Sequence, residues 1–372
     1  MPDVIRVLMV ISNLKIADGV AKFAMTYYSH LDHTKIHMDF AIYDSENIND
    51  EYAKQIKENH SKIFALPSVK DMHKHILYCR KLFQKRHYDI VHDNSLINTI
   101  PFMREAAKAK IPVRILHAHA TKLGETRAKE ARNRILLPLL QRYINAHTAC
   151  SNAAGECLFQ KNDFILMPNV IDGTTYYYDK DKHDRLRDQY RVHNKKIILT
   201  VARIAEQKNP FFAINIINEL LKKDENIEYW WVGDGPLKNE LQQHINKLGL
   251  SENVKLLGSK KDIQSYYIVA DCFFLPSLFE GLPVSGVEAQ TAGLPCVVSS
   301  SVTDEMVYTD LVKYVSLQDS IDAWVEALEE QIKRIPERRS YTEELKQSQF
   351  SAEGAGERLE KLYREMLSRN MK

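Results

Sequence analysis

The stretch Cys272-Phe273-Phe274-Leu275-Pro276-Ser277-Leu278-Phe279-Glu280-Gly281-Leu282-Pro283-Val284-Ser285-Gly286-Val287-Glu288-Ala289-Gln290 decides how this chain is read. Its first four residues are a short apolar run, the mark of a strand covered on both faces in a parallel sheet. Pro283 then stands where proline is favoured, in the first turn of a helix. One acid, Glu280, falls in the loop. A second, Glu288, falls inside the helix. Strand, acid, tight turn, helix and second acid follow one another at the carboxyl end of a strand, where open α/β sheets bind ligands.

The spacing of the two acids limits their chemistry. Eight residues of helix rise roughly 12 Å. A glycosidase pair stands only about 5–9.5 Å apart, so Glu280 and Glu288 do not suit the two sides of one bond. They suit two hydroxyl-bearing parts of a long ligand. The N–H groups at the helix start, from Leu282 to Ser285, lie between them in sequence and suit a phosphate. Sugar, diphosphate and ribose in a row match that order.

Working outward, the same unit repeats. Strands are predicted at 5–11, 37–43, 88–92, 113–118, 145–149 and 163–167, with helices near 19–31, 71–86, 97–109, 127–142 and 151–159. Pro168 to Lys182, with Tyr176-Tyr177-Tyr178 in its middle, breaks the composition and reads as a linker. The pattern restarts with strands at 196–201, 228–232, 253–256, 272–275 and 295–298. Helices are predicted at 209–223, 236–248, 260–269, 283–292 and 320–334, and a last one at 352–370. Alternation of this kind predicts two doubly wound α/β units facing across a cleft.

At 372 residues the chain exceeds one ordinary core. Hydrophobic content of 44% is that of a globular protein, and no apolar run has the length of a membrane span. The start, Met1 to Ile11, reads as a strand and not as a secretory leader. Five cysteines without metal spacing read as reduced core residues of a cytoplasmic protein. The net charge of +2 hides an asymmetry: residues 1–168 carry 24 Lys and Arg against 17 Asp and Glu, the rest 27 against 32. A basic first half points to an anionic ligand or surface on that side.

The Glu280-x7-Glu288 segment, followed by Ala292-Gly293-Leu294-Pro295 and a strand, resembles the signature of retaining glycosyltransferases of family 4. Ala149 to Phe159 is similar to the branch that builds capsules and exopolysaccharides on polyprenyl-diphosphate lipids. The resemblance implies a GT-B fold of two Rossmann-like domains, 1–170 on the acceptor side and 171–350 on the nucleotide-sugar side. It also implies a C-terminal helix, 351–372, that returns to the first domain. It implies transfer of a hexosyl or N-acetylhexosaminyl group from a nucleotide-sugar, by preference a UDP-sugar, to a lipid-linked glycan. No metal, other cofactor or nucleic acid is expected.

The resemblance also assigns roles. Glu280 contacts the donor sugar, Glu288 the ribose, and the amides around Gly281, Leu282, Pro283 and Val284 the diphosphate. Arg203 and Lys208, just after strand 196–201, match the pair that grips the diphosphate. Two cations and helix-start amides can neutralise such a leaving group without a metal. Gly258 begins the loop that meets the base. In the first half, Gly19 opens the helix after strand 5–11 and lets backbone approach a phosphate. The family places two adjacent glycines there; this chain has Asp18 before Gly19. His119, after strand 113–118, matches a histidine beside the reacting carbon. His92 and Asp93 end strand 88–92 and, by position alone, face the acceptor.

Other motifs are weighed against these. Gly233-Asp234-Gly235 after a strand looks like a dinucleotide fingerprint, but Lys238 replaces its third glycine and no acid ends the next strand, so a nicotinamide site is not expected. Asp179-Lys180-Asp181 reads as a solvated turn. Lys122 to Arg142 mixes six cations with Ile135, Leu136, Leu137, Leu139 and Leu140. It suits either packing on its own domain or the anionic inner face of a cytoplasmic membrane. Two further readings are a nucleotide-sugar 2-epimerase, which shares the GT-B fold, and a non-catalytic sugar-nucleotide-binding partner subunit.

Overall fold

Continuous apolar runs become central strands. Ile5 to Ile11 buries six of its seven residues, as a strand covered on both faces must. The computed structural model describes residues 2–15, 18–46, 48–124, 126–160, 163–334 and 338–370. It divides into unit 1, Met1–Val170 with Ala352–Lys372, and unit 2, Ile171–Ser351.

Unit 1 holds strands β1 (Ile5–Ile11), β2 (Ile36–Ile42), β3 (Ile63–Ala65), β4 (Ile90–Asp93), β5 (Val113–Ala118), β6 (Ala146–Ala149) and β7 (Ile165–Leu166). All pair in parallel, in the order β3-β2-β1-β4-β5-β6-β7. The order reverses between β1 and β4, where Val10 pairs with Asp93. Parallel neighbours need crossover helices, and these cover the sheet. The C-terminal helix, Ala355–Asn370, belongs to this unit and joins its core: Leu359, Tyr363, Met366 and Leu367 pack with Phe23, Tyr27 and Tyr28 of helix Gly19–Ser29. A Cβ on Gly356 would lie 1.8 Å from the His30 carbonyl oxygen, so only glycine allows this close approach. Met371 and Lys372 of the predicted last helix lie outside the described residues.

Unit 2 holds β8 (Lys196–Val201), β9 (Ile227–Val232), β10 (Val254–Gly258), β11 (Cys272–Leu275), β12 (Cys296–Ser299) and β13 (Val312–Val315). They too are parallel, in the order β10-β9-β8-β11-β12-β13. The reversal falls between β8 and β11. The core is aliphatic and aromatic, with Trp231, Trp324 and Tyr229 fully buried. The buried Asp271 carboxylate, before β11, accepts from Arg187 at 3.0 Å and from the Ile197 amide at 2.6 Å, tying β8 to β11 at their amino ends.

Several elements escaped the sequence reading. Helix Asp50–Glu58 buries only Ile56, so its polar pattern hides it. Strand β3 has three residues, none buried, and β13 buries only Val315, because each lies at a sheet edge. The expected solvated turn at Asp179 is a helix start: the Asp179 carboxylate caps helix Lys180–Tyr190 by accepting from the Lys182 amide at 2.7 Å.

Candidate functional site

Doubly wound sheets place ligands at the carboxyl ends of the two strands that flank the reversal. In unit 2 those strands are β8 and β11. The loop after β8 carries Arg203, Gln207 and Lys208, and the loop after β11 carries Glu280. The structure brings the two loops together. The Leu278 amide donates to the Gln207 carbonyl at 2.8 Å. The Gln207 side-chain amide donates to the Phe279 carbonyl at 3.0 Å and to Glu280 Oε2 at 3.1 Å. The Lys208 ammonium forms an ion pair with Glu280 Oε1. Glu280 is only 6% exposed, so both of its oxygens are held by groups from the facing loop.

Arg203 is exposed and its loop is clamped from the other side. The Ile204 amide donates to the Asp234 carbonyl at 2.9 Å, the Leu237 amide to the Ile204 carbonyl at 3.1 Å, and the Trp231 indole to the Ala202 carbonyl at 2.8 Å. Backbone meets backbone here because residues 233 and 235 lack side chains. A Cβ on Gly233 would sit 2.0 Å from the Ala202 oxygen, and one on Gly235 2.2 Å from the Ile204 oxygen. The Gly233-Asp234-Gly235 turn therefore seats the Arg203 loop. The Gly233 amide also donates to the Gly258 carbonyl at 3.0 Å, and Gly258 has φ +70, which glycine adopts without strain.

Gly281, Leu282 and Pro283 are buried, and Val284 opens the helix Val284–Thr291, which no side chain of Pro283 caps. Glu288 lies within this helix and is 2% exposed. It accepts from the Tyr176 hydroxyl at 2.8 Å and from the Tyr267 hydroxyl at 2.7 Å. Burial, and then the neighbouring Glu288, pushes Tyr267 well above the ordinary tyrosine range, so it stays a donor. Neither tyrosine was singled out from the sequence. Tyr176 read only as part of a linker, and Tyr267 only as part of the helix predicted at 260–269. Ser277 was also missed: its hydroxyl is buried at the end of β11 with no hydrogen-bond partner among the described residues.

In unit 1, histidines gather at the carboxyl ends of β4 and β5. The rings of His117 and His119 lie 4.3 Å apart, and those of His92 and His117 lie 5.6 Å apart. His119 shares a 2.8 Å hydrogen bond with Asn94, His117 with the Thr148 hydroxyl at 2.8 Å, and His92 with the Tyr363 hydroxyl at 2.8 Å. Burial lowers His92 and His119 to about 3 and His117 well below its usual range, so all three are neutral imidazoles at neutral pH. Asp93, fully buried, is pushed up by burial.

Gly19 begins its helix in open space, with nothing within 4 Å of where a Cβ would lie. The amides beyond it are already engaged. The Asp18 carboxylate accepts from Val20 and Ala21, each at 2.9 Å. Where the sequence reading offered this helix start to a phosphate, the chain supplies its own anion. Gly19→Ala is expected to leave stability unchanged or raise it by up to about 1 kcal/mol, as measured by chemical denaturation.

Helix Arg127–Gln141 packs through Asn133, Leu137 and Leu140. Its other side exposes Ile135 at 77% and Leu139 at 37%, alongside exposed Arg127, Lys129, Arg132 and Arg134. Among the described residues no helix is long and apolar enough to cross a membrane. Nor do three His, Cys, Asp or Glu side chains among them gather so as to hold a metal ion.

Comparison with known proteins finds glycosyltransferases. Putative glycosyltransferase EpsF of Bacillus subtilis (strain 168) is 28% identical over 340 residues, 87% of this chain and 86% of that protein. The UDP-Gal:alpha-D-GlcNAc-diphosphoundecaprenol alpha-1,3-galactosyltransferase of Escherichia coli is 26% identical over 278 residues, 70% of each chain. The crystal structure of Anabaena Alr3699/HepE in complex with UDP-glucose superimposes with a TM-score of 0.78 at 17% identity, covering 98% of this chain and 99% of that one. The paired parallel sheets are those of the GT-B fold. Residues 182–348, which carry Arg203, Lys208, Glu280 and Glu288, match the model of glycosyl transferases group 1.

Proposed function

We propose that this glycosyltransferase of the GT-B type moves a sugar from a UDP-sugar to a glycan carried on a polyprenyl diphosphate, with retention of configuration and without a metal. One observation carries the reading: the Arg203–Lys208 loop and the Glu280 loop interlock at the β8/β11 reversal. In this reading the diphosphate lies on Arg203, Lys208 and the amides of Gly281, Leu282 and Val284, with Pro283 shaping the turn. Gly258 borders the base, Glu288 takes the ribose, and Glu280 takes a hydroxyl of the sugar. His119 contacts the transferred sugar. Gly19 keeps a smaller part, since Asp18 holds the two amides beyond it.

An ammonium has three N–H donors, so the pair with Glu280 orients Lys208 without exhausting it. The acceptor oxygen attacks the anomeric carbon on the face from which the diphosphate leaves. The bond from that carbon to the diphosphate breaks with its electron pair, and the acceptor proton passes to the departing oxygen. Arg203 and Lys208 stabilise the charge that develops there. The choice of uridine and of a lipid-linked acceptor is supported by the E. coli relative, whose name specifies both, and by the UDP-glucose complex of the Anabaena protein.

Titration with UDP in the presence of a chelator tests the donor side. Glu288→Ala is expected to weaken UDP at least about tenfold, the loss of one hydrogen bond to a charged group. Unchanged affinity would overturn the assignment. The acceptor side places helix Arg127–Gln141 on an anionic lipid surface, its exposed cations and Ile135 providing charge and apolar contact. Ile135→Glu is expected to lower binding to anionic vesicles roughly tenfold, and high salt to lower that of the wild type. Flotation with anionic and zwitterionic vesicles measures both.

A further inference from the structure

Asn94 follows β4 and is 8% exposed. Its surroundings decide which way its side-chain amide points. One terminal atom lies 3.2 Å from the Val10 carbonyl oxygen, 3.4 Å from the His92 carbonyl oxygen and 3.1 Å from the Met9 sulfur. Three acceptors surround that atom, so it is the NH2 group; the opposite assignment would press an oxygen against two carbonyl oxygens. The amide oxygen therefore faces His119 Nε2 at 2.8 Å. An oxygen with no hydrogen demands a donor, so Nε2 carries the ring proton. The lone pair of the neutral imidazole then sits on Nδ1.

The other groups against this ring add no charge. Phe23 meets it edge-on with centroids 4.9 Å apart, and His117 lies at 4.3 Å. His117 is occupied by Thr148 and His92 by Tyr363, both neutral hydroxyls. Burial disfavours the imidazolium form of all three histidines and the carboxylate form of Asp93.

We infer that Asn94 is a positioning residue which holds His119 in the Nε2–H form, so that Nδ1 meets the transferred sugar as an acceptor and the enzyme takes neutral hexosyl groups while rejecting uronosyl groups. The inference rests on the reading that His119 contacts the donor sugar. A sugar hydroxyl can donate to the Nδ1 lone pair. A uronate carboxylate has no proton to offer it, and burial keeps the imidazoles of His92, His117 and His119 uncharged, so a carboxylate set against this ring is left desolvated and unpaired.

The test uses the full chain with 15N-labelled histidine, the His119 signals being assigned by their loss in His119→Gln. Long-range proton–nitrogen spectra are expected to show His119 protonated on Nε2 alone, without titration down to about pH 5. Turnover of UDP-glucose, UDP-galactose and UDP-N-acetylglucosamine is compared with that of UDP-glucuronate. The best neutral donor is expected to exceed the uronate by at least about 100-fold in kcat/KM. Asn94→Asp places a carboxylate on Nε2. It is expected to raise the His119 pKa by about two units and to narrow that ratio at least about tenfold. A wild-type His119 protonated on Nδ1, or on both nitrogens at neutral pH, overturns the inference whether or not the variant folds. Equal use of the uronate overturns it as well. The expected His119 signature in a protein that neither binds nor turns over any nucleotide-sugar supports the tautomer and overturns the transferase reading instead.

Discussion

Glu280→Ala is expected to lower kcat roughly 100-fold while leaving UDP affinity unchanged or slightly tighter. The asymmetry follows from the geometry. Glu280 holds Lys208 and Gln207 through its two oxygens, and the loops after β8 and β11 are locked through that carboxylate. Without it, Lys208 keeps its charge and loses its orientation. Attraction for a diphosphate survives, and a released ammonium can approach it more freely. Under the proposed function, what is lost is the placement of the cation on the oxygen that gains charge as the bond to the diphosphate breaks, together with the contact to the sugar. Glu280→Gln preserves shape and removes the anion, so it is expected to fall between wild type and alanine. Steady-state turnover measured beside UDP titration separates the two effects. A variant that loses UDP binding in proportion to turnover would show that Glu280 acts on the nucleotide.

The second large effect is expected at Gly233. Gly233→Ala must place a Cβ 2.0 Å from the Ala202 carbonyl oxygen at φ +143, a backbone conformation that side chains rarely adopt. Conformational strain of about 1–3 kcal/mol adds to a steric clash of similar size. The expected loss is about 3 kcal/mol or more in the stability of unit 2. All three tryptophans, Trp230, Trp231 and Trp324, lie in that unit, so their fluorescence follows its unfolding in denaturant. Because Ala202 immediately precedes Arg203, the variant is also expected to bind UDP less well even where it remains folded. Gly19→Ala, with open space around it, serves as the contrast. A Gly233→Ala protein as stable as wild type would mean that the Arg203 loop is not seated on this turn.

These two residues mark the limits of what could be read from the sequence. Strands β1, β5, β8 and β11 were readable to the residue because a central parallel strand, covered on both faces, is a continuous apolar run. Elements at the margins lacked that mark: β3, β13 and helix Asp50–Glu58 each bury one residue or none. The acids and cations of unit 2 stood out by type and spacing. Their partners did not. Gln207 reaches Glu280 across 73 positions, and Tyr176 reaches Glu288 across 112. Only the crossing of chain segments in the folded unit brings such pairs together, and nothing local in a glutamine or a tyrosine announces it. Asp18 shows the opposite case. A carboxylate two and three residues before backbone amides is a local cap that could have been read directly, and the glycine beside it drew the reading toward a phosphate. The role of Asn94 was out of reach for a third reason: it depends on which end of an amide faces two carbonyls.

The central claim is that this chain releases a sugar from a nucleotide-sugar with retention and without a metal. Proton NMR followed in time, with purified protein, a chelator and single UDP- and GDP-sugars, tests it most directly, alongside a nucleotide titration. The account predicts slow release of UDP from one α-linked UDP-sugar, with the free sugar appearing first as the α anomer. First appearance of the β anomer, or no release together with no nucleotide binding across the panel, would contradict it.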